Sequence, residues 1–452
     1  MHASIGPRFS RQQQLLFATL ALLFFAVIGV AIFKLVAGGD ATASQEDIDY
    51  STRPPHVVSL TESSMTVALL DGTEARTTAL PDGFDAMLVA DQGRWMLEDN
   101  RDSVLNYFDL SAVQPELRSV ELPFAGWEIH PRTVRVGSDV VLLHSPDGSL
   151  GLAVVNLADG TAYPTASARA KYFEAGSVRD FLLFREVDGL NTIIVPVADP
   201  TVFWTMKGAV VDIRGTTTLV ATSDGLSSFL TVYEGLHPVG VRVQVENPIM
   251  GGMLTETGAL VLERTGGITL LDNLTGKVKR AGVSEFGAQG AIPVADDRLY
   301  AWGGDGSALL DPEGLPIANY LLFTPTEGEP RPLVATAGGT GCLVLQPGPQ
   351  LKTTGAGALL ISVVDGAELL EMDASPSWVS QDGCTLVGLD ATVVIDGKPV
   401  EVDLDQVFSV SRDKSSVLGR RTAGDDATFV VVDLASQQVR QLESGFHLFA
   451  TF

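Results

Sequence analysis

The sequence predicts an all-β fold, a β-propeller of seven or eight blades, preceded by one N-terminal transmembrane helix. Three observations carry this reading: an uncharged apolar run near the start, short apolar strands throughout the rest, and a turn that recurs at a fixed interval. Residues Leu15 to Phe33 form 19 consecutive uncharged positions behind Arg8 and Arg11, and no acidic side chain occurs before Asp40. At the rise of an α-helix such a run spans about 30 Å, the hydrocarbon thickness of a bilayer. With the basic flank on the N-terminal side, the expected topology leaves residues 1–14 in the cytoplasm, 15–37 in the membrane and everything beyond outside it. The protein's expected address is therefore the cell membrane, as a single-pass anchor with an extracellular or periplasmic domain.

Ala41-Thr42-Ala43 has the small-x-small form of a signal-peptidase site, so a cleaved signal peptide is the competing reading. The apolar run is longer than the core of an ordinary signal peptide, and Lys34 with several further residues separates it from the candidate cut, which favours an uncleaved anchor. Lys34 can snorkel to the outer interface. Residues 38–55, from Gly38 to Pro54-Pro55, lack periodicity and read as a flexible tether to a domain over 56–452.

Past Pro55 the chain is a succession of Val, Leu and Ile runs separated by Asp-Gly or related dipeptides, with almost no 3.6-residue periodicity. Ten such turns fall between Asp71 and Asp433: Leu70-Asp71-Gly72, Phe108-Asp109, Asp159-Gly160, Val197 to Asp199, Glu234-Gly235, Asp272 to Gly276, Asp311 to Gly314, Asp365-Gly366, Asp396-Gly397 and Val432-Asp433. Their mean spacing is about 40 residues, the length of a four-stranded blade. Asp-Gly supplies the positive φ values of a type I′ hairpin, and an Asp or Asn side chain can hold the turn by bonding its own backbone. Some of these turns are expected to belong to inner hairpins, hence seven or eight blades rather than ten. Ser380 to Leu386 and Ser411 to Leu418 show a second phase of the repeat and are expected to open a blade. A propeller must protect its strand edges, so Phe446 to Phe452 is expected to lie in the same blade as His56 to Leu60 or in an adjacent one.

The segments Leu299-Tyr300-Ala301-Trp302-Gly303-Gly304-Asp305-Gly306 and Gly267-Ile268-Thr269-Leu270-Leu271-Asp272-Asn273-Leu274-Thr275-Gly276 resemble blade repeats of quinoprotein-type and WD40-like propellers. Quinoprotein dehydrogenases of that class hold pyrroloquinoline quinone with a calcium site and a vicinal disulfide. No adjacent cysteines exist here, so the resemblance implies no cofactor; the nearer analogy is with non-catalytic envelope propellers that act as docking platforms.

Composition narrows the function further. The net charge is −25. Without Arg8, Arg11 and Lys34 the exported part has 27 basic against 55 acidic residues, and no cluster of five to eight Lys or Arg occurs, which argues against a nucleic-acid partner. No calcium loop, zinc-protease helix, nucleophile elbow or phosphate loop is present; Gly276-Lys277 is followed by Val278. Gly339-Thr340-Gly341 and Gly355-Ala356-Gly357 read as loops. His56, His130, His144, His237 and His447 are scattered without metal-ligand spacing. The pairs Asp99 with Asp102, Asp403 with Asp405 and Asp425 with Asp426 read as surface acids rather than metal sites. Ser411-Arg412-Asp413-Lys414-Ser415 approaches a sialidase-type loop but lacks its glycine and aromatic. No catalytic, cofactor-binding or metal residue is therefore expected.

Cys342 and Cys384 lie one blade length apart, each entering an apolar strand, and outside the cytoplasm they are expected to form a disulfide joining neighbouring blades, with two buried thiols as the alternative. Two functions remain. One is a membrane-tethered, non-catalytic scaffold that binds a protein or an envelope polymer. The other is a hydrolase or lyase acting on envelope or extracellular glycans through carboxylates at a central channel.

Overall fold

In a computed structural model, the described residues lie within 53–451, apart from stretches of one to ten residues, the longest being 130–138, 145–151, 165–171, 321–330, 333–340 and 347–356. The apolar run Leu15–Phe33 and residues 38–52 of the tether lie outside the described residues; within them no helix is long and apolar enough to cross a membrane.

The described strands form ten four-stranded antiparallel sheets, and these are the blades of a ten-bladed propeller. Within a blade the strands are lettered a to d in order from the centre. Blade 2 begins at Ala86–Val89, blade 3 at Glu128–Ile129, blade 4 at Tyr172–Val178 and blade 5 at Ala209–Arg214. Blades 6 to 10 begin at Ile249–Leu254, Gly290–Ala295, Arg331–Pro332, Pro376–Val379 and Gln406–Val410. Blade 1 is built from both ends of the domain: its strand a is Phe446–Ala450, followed by His56–Leu60, Ser64–Leu69 and Arg76–Ala79. The closing pair is antiparallel and runs from His56 opposite Ala450 to Leu60 opposite Phe446, as the edge-protection argument expects.

The blade count corrects the expected seven or eight, and the reason is visible in the turns. All ten of the recurring Asp, Asn or Glu segments connect strand c to strand d, one in each blade. None belongs to an inner hairpin, so the 40-residue period counts blades directly. The residues Val197–Asp199 and Asn273–Gly276 themselves lie outside the described residues. The acidic side chains hold these turns as expected: Asp71, Asp159, Asp365 and Asp433 accept from the backbone N–H of Thr73, Thr161, Ala367 and Ser436 at 2.8, 3.1, 3.2 and 2.7 Å. Among the described turns of this set, Asp396-Gly397 alone, with φ of 51° and 75°, has the two successive positive values of a type I′ turn. At Gly160, Gly314 and Gly366 the glycine alone is left-handed, and in the longer loop at Gly72 Glu74 is left-handed as well, two positions further on, because these loops are longer than two residues. The second repeat phase also shifts: Ser380 to Leu386 and Ser411 to Leu418 join strand a to strand b rather than opening a blade.

Ten apolar clusters among the described residues each span one seam between adjacent blades. The seam between blades 2 and 3, for example, packs Trp95, Tyr107 and Trp127 with Val141 and Val155. The seam between blades 10 and 1 packs Leu418 and Val431 with Val57 and Phe449, so the ring closes. Both faces of most strands are thus covered, which is why the strands read as continuous apolar runs instead of alternating ones. At the centre, successive a strands come very close. A Cβ on Gly251 would lie 2.0 Å from the carbonyl oxygen of Ala291 in the next blade. Only glycine permits that approach.

Candidate functional site

Antiparallel order puts the a–b and c–d turns of every blade on one face, and the b–c turns and d–a connections on the other. Both faces carry acids, the a–b face those of the c–d turns, and they differ in how their cations are placed. On the a–b face, several cations are consumed by neighbouring elements. Arg94 binds Asp109 bidentately at 2.8 and 2.6 Å and reaches Asp139 of blade 3 at 3.2 Å. Arg76 of blade 1 donates to the Ala112 carbonyl of blade 2 at 2.6 Å, and Arg440 of blade 10 donates to the Leu69 and Leu70 carbonyls of blade 1 at 2.8 and 2.6 Å. These arginines tie blade 10 to blade 1, blade 1 to blade 2 and blade 2 to blade 3.

The most deeply buried ionic group also lies at this end. Asp212, on strand a of blade 5, is fully buried and accepts from Nε and Nη2 of Arg179 in blade 4 at 2.8 and 3.1 Å. It accepts as well from the backbone N–H of Ile213 at 2.8 Å and of Leu254 in blade 6 at 2.6 Å. One carboxylate thus links three blades. Burial raises its pKa, while the guanidinium and the two amides oppose the shift. With its oxygens taken up by four donors, it is a pin rather than an acid poised for catalysis. Sequence reasoning overlooked this residue. The available signal was a lone aspartate within the apolar run Val210-Val211-Asp212-Ile213, since an unpaired carboxylate is not tolerated in such a setting.

On the b–c face, acids dominate the sector running from blade 9 through blades 10 and 1 to blade 2. Asp390, Asp405, Glu443, Asp82, Asp102 and Glu121 are all exposed there. Two cations in the sector are already engaged: Arg101 pairs with Asp99 and Glu128 at 3.1 Å each, and Arg421 pairs with Asp403. Two large apolar side chains stand among the acids, Leu389 at 72% exposure and Phe446 at 60%.

The a strands lining the centre carry little charge. Those of blades 2, 6, 7, 9, 10 and 1 contain no Asp, Glu, Lys or Arg. The remaining a strands carry Glu128, Glu174, Asp212, Arg214 and Arg331; of these, Glu128 pairs with Arg101 and Asp212 is locked as above.

The other candidates stay apart. His447 is buried, with Nδ1 2.8 Å from Ser59 Oγ and Nε2 2.7 Å from the Glu443 carbonyl, and burial lowers its pKa. His56 is buried on the neighbouring strand of the same blade, and burial followed by Arg76 lowers its pKa too. His144 packs its ring 6.2 Å from Phe184, and His237 is exposed on the outer strand of blade 5. His130 lies outside the described residues, as do Asp425, Gly339, Thr340, Gly355 and Ala356. Asp99 and Asp403 serve the ion pairs named above. Among the described residues no three His, Cys, Asp or Glu side chains are grouped to hold a metal. Ser411 and Ser415 bond Asp413 within a single turn, so that segment is structural. Cys342 and Cys384, at a Cα separation of 5.0 Å, are disulfide-bonded between blades 8 and 9.

No protein-family model matches the chain, and no curated protein is significantly similar to it. Solved structures resemble it weakly. Dihydro-heme d1 dehydrogenase NirN in complex with DHE aligns at TM-score 0.39 and 15% identity, covering 71% of this chain and 73% of that one. Apo AztD from Citrobacter koseri aligns at 0.30 and 11%, covering 88% and 97%. BamB from Moraxella catarrhalis aligns at 0.31 and 12%, covering 69% and 88%. At these scores the likenesses carry no argument. The propeller architecture rests on the chain's own ten sheets.

Proposed function

We propose that this chain is a non-catalytic binding scaffold, held by its N-terminal apolar run on the outer side of a membrane, that presents the b–c face of its propeller to a basic protein segment or a positively charged envelope polymer. The observation that carries the reading is the acidic sector from blade 9 to blade 2, with Leu389 and Phe446 exposed within it. The chain enters strand b of blade 1 at His56, on the face opposite the acidic sector. The glycan hydrolase alternative needs paired carboxylates at the channel, and the composition of the central strands lends it little support.

The test is crosslinking of the full-length protein in intact cells, followed by affinity purification. The expected result is one abundant partner, captured by the native protein and lost from a variant carrying Asp82→Lys, Asp102→Lys and Asp390→Lys. Capture that is indifferent to those reversals would overturn the assignment of the face. Labelling by a membrane-impermeant amine reagent on the same cells checks the location; a propeller that labels only after lysis would remove the extracytoplasmic part of the proposal.

A further inference from the structure

Blade 9 differs from its neighbours in the size of its ladders. Its strands b, c and d, Leu386–Gly388, Val393–Ile395 and Lys398–Val400, are three residues each. Strands b and c pair through two positions only, Leu386 with Val394 and Val387 with Val393. In blade 10 the same hairpin pairs eight positions from Ser416 opposite Asp433 to Ala423 opposite Asp426, and in blade 5 it pairs seven from Thr217 opposite Glu234 to Ser223 opposite Ser228. Since every ladder position contributes a cross-strand side-chain contact and every second one a pair of backbone hydrogen bonds, blade 9 has the least internal cohesion of the three. It depends on its seams.

The seam with blade 8 packs Leu386 and Val394 against Val344, Leu360 and Met372, and it is the seam crossed by the Cys342–Cys384 disulfide. Cys384 stands where both turns of the a–b face meet in blade 9, because its carbonyl accepts from the N–H of Gly397 in the c–d turn at 2.8 Å. A covalent link at this point holds both hairpins of the short blade to the longer strand Cys342–Gln346.

We propose that blade 9 is the weak unit of the ring and that the Cys342–Cys384 disulfide keeps the blade 8–blade 9 seam closed, so that reduction opens the propeller locally at that seam. The reductant is a dithiol. One of its thiolates attacks Sγ of one cysteine and releases the other as a thiolate; the second dithiol sulfur then attacks the mixed disulfide, leaving two protein thiols after protonation and the dithiol oxidised to its cyclic disulfide. Opening the seam uncovers the apolar sheet faces around Val344, Leu360, Leu386 and Val394, which the oxidised domain keeps covered.

Amide hydrogen exchange on the full chain, oxidised and after treatment with dithiothreitol, tests this. Reduction should raise exchange by about tenfold or more at Val344, Leu360, Leu386 and Val394, while Leu219, Val220 and Val232 in blade 5 keep their protection. The double variant Cys342→Ser with Cys384→Ser should reproduce the reduced pattern without reagent. Unchanged protection in blades 8 and 9 would overturn the proposal. So would an equal loss of protection in blade 5, which would make the disulfide a global staple rather than a local clasp.

Discussion

At the residue scale, the Arg179–Asp212 pair shows how one buried charge can hold three blades. Its side chains are 9% and 0% exposed, so removing the cation leaves a desolvated carboxylate with only two amide donors. Breaking such a pair costs about 3–5 kcal/mol, because the surviving charge is uncompensated. Arg179→Met should therefore lower the domain's stability by about that amount, read as a fall in the urea midpoint. A midpoint shift of a few tenths of a molar or less would show that the pair is energetically neutral. This residue-scale feature was only half legible in the sequence. An aspartate among valines signals a buried partner, but the partner is 33 positions away and in another blade, a distance no local pattern spans.

At the element scale, the strand that closes the ring carries a tightly held histidine. His447 is buried between Ser59 and the Glu443 carbonyl, with Phe429 at 4.9 Å, and burial depresses its pKa below the ordinary value of 6.5. The sign follows from linkage: a depressed histidine favours the neutral form in the folded state, so its contribution is intact above the unfolded pKa and is lost as pH falls through the folded one. The melting temperature should thus fall between about pH 7.5 and about pH 5.5, and His447→Gln should fall less over the same interval. Equal pH slopes in both proteins would refute this. Elements were the most legible level of the chain. Strand positions followed from apolar runs bounded by Asp-Gly turns, because hairpin chemistry is local. The roles of Ser380 to Leu386 and Ser411 to Leu418 within a blade were not, since an a–b loop and a blade-opening loop use the same residue types.

At the scale of the whole molecule, stability depends on closing a ring of ten blades whose cores lie between sheets rather than within them. Each blade buries its apolar faces only against two neighbours, so a missing strand is felt at two seams. Deleting residues 447–452 removes the innermost strand of blade 1, unpairs His56–Leu60 and takes Phe449 and Ala450 out of the seam clusters on either side. The truncated domain should aggregate or melt many degrees lower, measured by light scattering and thermal unfolding; a soluble truncation with an unchanged melting temperature would contradict the closure. The acidic face belongs to this scale as well. Its residues come from connections as distant in sequence as Asp82 and Glu443, and only the ring brings them to one face.

The sequence by itself determined the all-β class, the 40-residue period, the turn residues that hold it and the participation of both domain ends in closure. Each of these depends on backbone chemistry within a few residues or on the need to protect a sheet edge. Tertiary structure decided that the ten turns occupy one equivalent place in ten blades, where the sequence had suggested seven or eight. It also decided which strand is innermost, which cations are consumed at the seams and which acids gather on the b–c face from blade 9 to blade 2. Those properties depend on what lies across a seam, and the residues there are a blade or more apart along the chain.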